Sequence, residues 1–535
     1  MNNNGWRRRR TRMTVAAVAA LSLALVTGCG GNRVNHDRVV AAGNGYGPAA
    51  ADENKSLVQA AADAAAAKVA GQAPAVAGPS TLGTGPGAPA ASAGGAAPAA
   101  GTTTTATGAP AATTNGATAK GGTAGATTTA AGASTACTAT LSPIVIGQTL
   151  ASSGLVGAAI SGLRTGLAVW VRDVNARGGV QCHPIQLTQL DDGSDPAKVA
   201  SNWNTIIHDK GGIAMVGGGV PIAIAALRSA AERDKVPVVG GDITAVDWTQ
   251  SPYLFPTGGA PLTSYDGAVV EAAALVKGTP KAGIFYCVEA SICTGLKNNF
   301  PKSVQRAKVE LGPSLAVSLT QPDFTSECQQ MKASKVNLIF FGLDGSASIR
   351  AARSCASLNY YPIIATGAIA VSAQAAADQG LRHNNTFLGS GVVPYTTNDS
   401  AAIQAFHAAM KLYAPSNPED QQTLLGWASG KLFEAALAKE AAKARAGNVT
   451  TAMVLDGLWQ LKSEKLGGLT PGATFVKGDH AVVDDCYYPL KLDAQGFSAP
   501  KGSKPVCYGS SAKIAGVAPA DAAVPAPDLA ATKDR

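Results

Sequence analysis

Pro143-Ile144-Val145-Ile146-Gly147 is a short apolar run, closed by the small-residue turn Leu150-Ala151-Ser152-Ser153-Gly154. Directly after it, Leu163, Leu167, Trp170, Val171 and Val174 recur at helical spacing, which places all five on one face. Asn175-Ala176-Arg177-Gly178-Gly179 stops that helix, because glycine enters the left-handed conformation without steric cost. A strand at Ile185-Gln186-Leu187 follows, then the loop Asp191-Asp192-Gly193-Ser194-Asp195-Pro196, in which Asp195 and Pro196 read as N-cap and first helical residue. The next helix leads to the buried strand Ile213-Ala214-Met215-Val216 and the turn Gly217-Gly218-Gly219. Strand and helix in strict alternation predict an α/β fold with a parallel, doubly wound sheet. Such sheets bind ligands at the carboxyl ends of their strands, so the informative loops are residues 151–157, 217–221 and 240–247.

The order of these pieces carries a resemblance. An apolar strand comes first, then a helix ending in Asn175-Ala176-Arg177-Gly178-Gly179-Val180. Next stand Asp191-Asp192-Gly193-Ser194-Asp195-Pro196 and an apolar strand closed by glycines. Together they resemble the leucine/isoleucine/valine-type periplasmic binding proteins, over roughly residues 143–500. The resemblance implies a type I periplasmic binding fold, with two doubly wound parallel-sheet lobes joined by three hinge crossings. Tyr253-Leu254-Phe255-Pro256-Thr257 resembles the first crossing, and residues 388–394 should return the chain. Between them lie the expected strands Ile284-Phe285-Tyr286, Leu315-Ala316-Val317, Leu338-Ile339-Phe340-Phe341 and Ile363-Ile364-Ala365. A helix over 424–444 should belong to the first lobe. Leu466-Gly467-Gly468, Phe475 and Gly478-Asp479-His480 again resemble the family, just before its last crossing strand. The expected division is 137–258 with 393–485 for one lobe, and 259–392 with 486–510 for the other. The resemblance also implies a small-molecule solute and the permease subunits of an ABC importer as partners. The alternative reading is a sensory or cell-envelope interaction protein that keeps the fold without transport.

Residues 1–28 read as an export signal. Arg7, Arg8, Arg9, Arg10 and Arg12 precede an apolar run over 15–26, too short to span a bilayer stably. Val26-Thr27-Gly28-Cys29 resembles a lipobox, so Cys29 is the expected lipidation site. Its acyl chains would hold the mature protein on the outer face of the cell membrane. An ordinary secretory signal beside a chance cysteine is the plainer alternative, and the export route, Sec or twin-arginine, stays open. Residues 29–136 are dominated by alanine, glycine, threonine and proline. They lack the apolar side chains needed to offset ordering entropy. They read as a tether with a root-mean-square reach of about 50–60 Å, or as a tolerated low-complexity insert. Residues 511–535 read as a disordered tail.

The whole chain carries 43 basic and 35 acidic residues, a net charge of +8. Without the five signal arginines the mature chain is close to neutral, which removes the electrostatic case for nucleic acid. Setting Cys29 aside leaves eight of the nine cysteines, an even number in an exported chain, which points to disulfides. Connectivity is open from sequence alone. The expected fold favours Cys137 with Cys182, Cys287 with Cys293, Cys328 with Cys355, and Cys486 with Cys507. Neither zinc-type spacing nor a cofactor motif occurs, so no metal and no cofactor are expected. There is no H-E-x-x-H and no G-x-S-x-G either. Gly426-Trp427-Ala428-Ser429-Gly430-Lys431 imitates a phosphate loop but falls inside a helical pattern, and Ser510-Ser511-Ala512-Lys513 matches S-x-x-K by chance. His208 and His407 read as surface helix residues. An enzyme is not expected.

Amino-acid binders of the resembled family hold the α-carboxylate with a serine and a threonine, and the ammonium with an acidic residue in the second lobe. By spacing, the serine position falls at Pro221, the threonine at Thr244, the acid at Ala368 and a first-lobe aromatic at Ala159. Only the threonine matches. The backbone at Gly219 could supply N–H donors, and Ser153 a hydroxyl, although a plain turn serine fits it as well. Asp344 is the best remaining acid, with an N-cap role as its structural alternative, and Glu289 is a weaker one. The ligand is therefore not expected to be a standard branched-chain amino acid. A less polar solute, or one with a single carboxylate or amide, is expected instead.

Overall fold

Strand β1, Ile144–Leu150, is buried along nearly its whole length and runs between β2 (Ile185–Asp191) and β3 (Met215–Gly218). The computed structural model describes residue 137, residues 139–367 and residues 372–509. The expected signal, the lipidation site Cys29, the tether, the tail and Ala368 lie outside the described residues. With β4 (Val238–Gly241) and β5 (Leu254–Phe255), these strands form a five-stranded sheet in the order β2-β1-β3-β4-β5. Every pairing in it is parallel.

The local signals work as their chemistry dictates. In the helix Gly162–Ala176 the side chains of Leu163, Leu167, Trp170 and Val174 are buried, and Val171 is half-buried. Gly178 and Gly179 follow at φ +98° and +85°. Asp195 caps Pro196–Trp203 by accepting from the Ala197 N–H at 2.8 Å.

The second sheet is built from β6 (Lys281–Cys287), β7 (Glu310–Val317), β8 (Leu338–Gly342), β9 (Ile363–Gly367) and β10 (Thr386–Ser390). Their pairings are parallel in the order β10-β9-β8-β6-β7. Here β7 begins five residues earlier than expected; it is an edge strand, where Pro313 loses no ladder bond. After the small ladder of β11 (Ala473–Thr474) and β12 (Val482–Val483), β13 (Asp485–Asp493) adds antiparallel to β10. It carries β14 (Gly496–Ser498) and β15 (Val506–Gly509), also antiparallel. The second sheet is thus parallel at its core and antiparallel at one side.

The chain passes between the sheets after β5, after β10 and before β13. These passages meet at glycines. The Gly259 N–H donates to the Gly391 carbonyl at 3.1 Å. A methyl at Gly258 would lie 2.5 Å from the Gly391 oxygen, and one at Gly259 2.3 Å from the Cys486 oxygen.

The helix expected over 424–444 runs Gln421–Lys439 and is followed by a separate turn, Ala441–Ala446. It starts earlier because Asp420 and Thr423 form a reciprocal capping box. It packs on Gly162–Ala176 and on the β3–β4 face. Gly426 and Gly430 allow that approach: added methyls would meet the Leu163 oxygen at 2.3 Å and the Trp170 ring at 2.1 Å. The phosphate-loop imitation is therefore a helix-packing surface.

Disulfides join Cys137 to Cys182, Cys287 to Cys293, Cys328 to Cys355 and Cys486 to Cys507.

Candidate functional site

The carboxyl ends of the two sheets face one another across a narrow cleft. From the first sheet come Pro221 and Ile222 after β3, and Thr244 after β4; Val156 stands in the loop after β1. From the second come Cys287 at the end of β6, Phe341 to Asp344 at and after β8, and Gly367 at the end of β9. Tyr265, Ile292, Cys293, Leu296 and Leu319 complete the wall. The helix Gly345–Ser357 also packs against Gly157–Ile160, so the two sides touch. The cavity they leave measures ≈ 40 Å³. That is room for a few water molecules and well below the few hundred Å³ of an ordinary ligand pocket.

The polar groups of the wall form two sets. In the first, the Thr244 hydroxyl donates to Asp242 Oδ2 at 2.9 Å, and the Tyr265 hydroxyl lies 3.4 Å from the Thr244 carbonyl oxygen. Asp242 is fully buried, and desolvation pushes its carboxyl up to about 6, while the bonds from Thr244 hold it down. Burial raises the Tyr265 phenol too, aided by the Asp242 charge. The Tyr265 ring stands edge-on to Phe340 and fills the space over Gly367, where a methyl would fall 2.1 Å from it. In the second set, Asp344 caps Gly345–Ser357: Oδ2 accepts from the Ser346 N–H and Oδ1 from the Ala347 N–H, each at 3.1 Å. Burial raises its carboxyl above the usual range, against the pull of those donors and of Arg350.

Thr244, Pro221 and Asp344 therefore stand at the cleft, Asp344 with its capping role as well. Three other sequence-derived positions do not line it. The Gly219 N–H donates to the Thr149 carbonyl at 3.0 Å and the Gly219 oxygen accepts from the Ala151 N–H, because Gly219 extends the β1–β3 ladder. It has no donor left for a solute. Ser153 is exposed and its hydroxyl bonds to Asp191, whose Oδ1 also accepts from the N–H groups of Ser152, Ser153 and Gly193. Ser153 closes a turn. Glu289 accepts from the Ser318 hydroxyl at 2.6 Å, the Leu319 N–H at 2.7 Å and the Val288 N–H at 3.0 Å. It ties the loops after β6 and β7 together. The Cys287 and Cys293 sulfurs lie within 4.8 Å of a Glu289 carboxylate oxygen, but the sulfurs are bonded to each other, which removes two of three metal donors. Ala159, at the expected aromatic position, is buried in the core.

Sequence reasoning missed Tyr265 and the apolar wall. Asp242 carried a legible signal, as an acid two residues before Thr244 in a strand-end loop. Tyr265 carried none, since it reaches the cleft from the helix Pro261–Ala273, beyond the first passage between the sheets.

A family model described as periplasmic binding protein matches residues 143–497. Among solved structures, a fatty acid ABC transporter substrate-binding protein from Thermomonospora curvata is 19% identical, with a TM-score of 0.57 over 69% of this chain and 92% of that one. A solute-binding protein of an ABC transporter from R. palustris, in complex with benzoate, is 16% identical, with a TM-score of 0.55 over 68% and 97%. A leucine binding protein from Thermotoga maritima is 14% identical, with a TM-score of 0.57 over 68% and 99%. At these identities the likeness is one of fold. No curated protein matches the chain.

Proposed function

The chain belongs to the periplasmic binding protein family, and from that premise we propose that it captures one small, largely apolar solute outside the cytoplasm for an ABC importer. The observation that carries this reading is a cleft walled from both sheets by Val156, Pro221, Ile222, Ile292, Leu296, Leu319, Phe341 and Leu343, with few polar groups among them. Hinge motion at the three passages opens and closes it, since ≈ 40 Å³ admits no solute without opening. Cys29 anchors the mature chain to the membrane through its acyl chains, and residues 29–136 set the reach. Leucine, isoleucine and valine bind weakly or not at all. A buried zwitterion needs partners for both charges, and among the described residues the wall supplies no cation for the carboxylate.

A thermal-shift screen of small apolar solutes tests the reading. A solute that raises the melting temperature of the wild-type chain should fail to do so for Ile222→Arg, which fills the cleft with a charged side chain. A shift of equal size in that variant would place binding elsewhere. Thr244→Ala should lower affinity and leave the melting temperature of the free protein nearly unchanged. Micromolar leucine binding that survives Thr244→Ala would overturn both the ligand class and the site.

A further inference from the structure

The direction of the hydrogen bonds in the cleft wall decides what kind of head group it can meet. Asp242 as a carboxylate only accepts, so the Thr244 hydroxyl proton is committed to it at 2.9 Å. Thr244 Oγ, on a residue that lines the cleft, is then left with lone pairs only. The Tyr265 hydroxyl reaches toward the Thr244 carbonyl and has its own proton engaged there. Asp344 is an acceptor throughout, holding the N–H groups of Ser346 and Ala347 and its own backbone N–H, and it lines the cleft. Among the described residues the lining holds no lysine, arginine or histidine. The cation whose charge acts on Asp344 is Arg350, and its guanidinium donates to the carbonyls of Leu319 at 2.6 Å and Gln321 at 3.0 Å. One buried carboxylate, Asp344, therefore lines an apolar cavity and a second, Asp242, lies behind Thr244, with no cationic side chain among the described lining residues. A solute carboxylate would add a third negative charge against acceptors that offer it no proton. A protonated amine would supply both the missing charge and the missing donors.

We infer that the solute is an alkylammonium, an aliphatic body with a protonated primary amine and no carboxylate, held by Asp344 from one side of the cleft and Thr244 Oγ from the other. This rests on the reading of the cleft as the solute site. It reverses the usual role of the threonine position, from donor to a carboxylate into acceptor from an amine. The surrounding Ile222, Ile292, Leu296 and Phe341 cover the aliphatic part.

Calorimetry on the full-length chain with three probes of one shape separates the cases: 3-methylbutylamine, 3-methylbutan-1-ol and 3-methylbutanoate. The amine should bind at least about tenfold more tightly than the alcohol, the value of one charge-assisted hydrogen bond, and the carboxylate should give no heat. Asp344→Asn keeps a competent helix cap and removes the charge. It should weaken the amine by about tenfold and the alcohol by clearly less. Asp242→Asn offers Thr244 Oγ an N–H, frees the threonine proton for the cleft, and should narrow the gap between amine and carboxylate. Carboxylate binding equal to or tighter than amine binding would overturn the inference and leave the apolar cleft standing, as would alcohol equal to amine. Heat from none of the three would overturn the inference and the apolar cleft together.

Discussion

Asp242 sits with both partners on one neighbour, the hydroxyl and the backbone N–H of Thr244, and is otherwise enclosed. Its carboxyl titrates at about 6 in the folded chain against an ordinary 3.8. The native state thus binds the proton more tightly than the unfolded chain does. Between about pH 4 and 6 folding takes up a proton, so this residue's contribution falls as pH rises through that window and reaches its full penalty above it. A separation of about two pH units corresponds to roughly 3 kcal/mol. Asp242→Asn should therefore be more stable than the wild type at pH 7.5, by up to that amount, and the advantage should vanish near pH 4. Urea denaturation at both pH values measures it. A difference that does not change with pH would mean that Asp242 does not titrate in this window.

Among elements, the contact between Gly162–Ala176 and Gln421–Lys439 shows how a packed helix pair sets composition. Gly166 would place a methyl 1.8 Å from the Thr423 oxygen, and Gly430 would place one on the Trp170 ring. Alanine is the better helix former by about 1 kcal/mol, so propensity alone favours Gly430→Ala. Overpacking a close contact costs roughly 1–3 kcal/mol or more and acts against it. The net expectation is destabilisation by about 1–2 kcal/mol, read as a lowered urea midpoint at unchanged slope. An equal or higher midpoint would show that the helices separate freely. The Cys328–Cys355 bridge ties the helices Thr325–Ala333 and Gly345–Ser357 across 27 residues. Closing a loop of that length is worth roughly 3–4 kcal/mol in the chain-entropy model. Replacing both cysteines by serine should lower the unfolding free energy by about that amount.

Across the whole molecule the three passages between the sheets converge on Gly258, Gly259 and Gly391. A methyl at Gly259 meets the Cys486 carbonyl oxygen, which belongs to the returning strand β13. Gly259→Ala should push two passages apart, lower the melting temperature and weaken solute binding together, because the closure proposed above runs through these segments. Unchanged solute affinity in a folded variant would separate the glycines from closure. At the same scale, Cys29→Ala should move the protein from the membrane fraction to the soluble envelope fraction or the medium. Unchanged membrane association would rule out the lipid anchor.

Much of this architecture was legible in the sequence, because its signals are local or follow chain order. Helical spacing in Leu163 to Val174, the Asp195–Pro196 cap, glycines ending Gly162–Ala176 and alternating apolar strands announced a parallel sheet, and with it the strand ends as the site. Thr244, placed by the family resemblance, and Asp344, placed by its strand-end loop, both line the cleft. The rest depended on partners distant in the chain. Gly219 lost its donor to Thr149. Ser153 and Glu289 spent their polar atoms on Asp191 and on the Ser318–Leu319 turn. Tyr265 entered the cleft from beyond the first passage. Sequence by itself determined which residue types stood at the strand ends. Only the tertiary structure decided which of their lone pairs and protons stayed free, because a hydrogen bond is assigned by three-dimensional proximity and leaves no mark in local spacing.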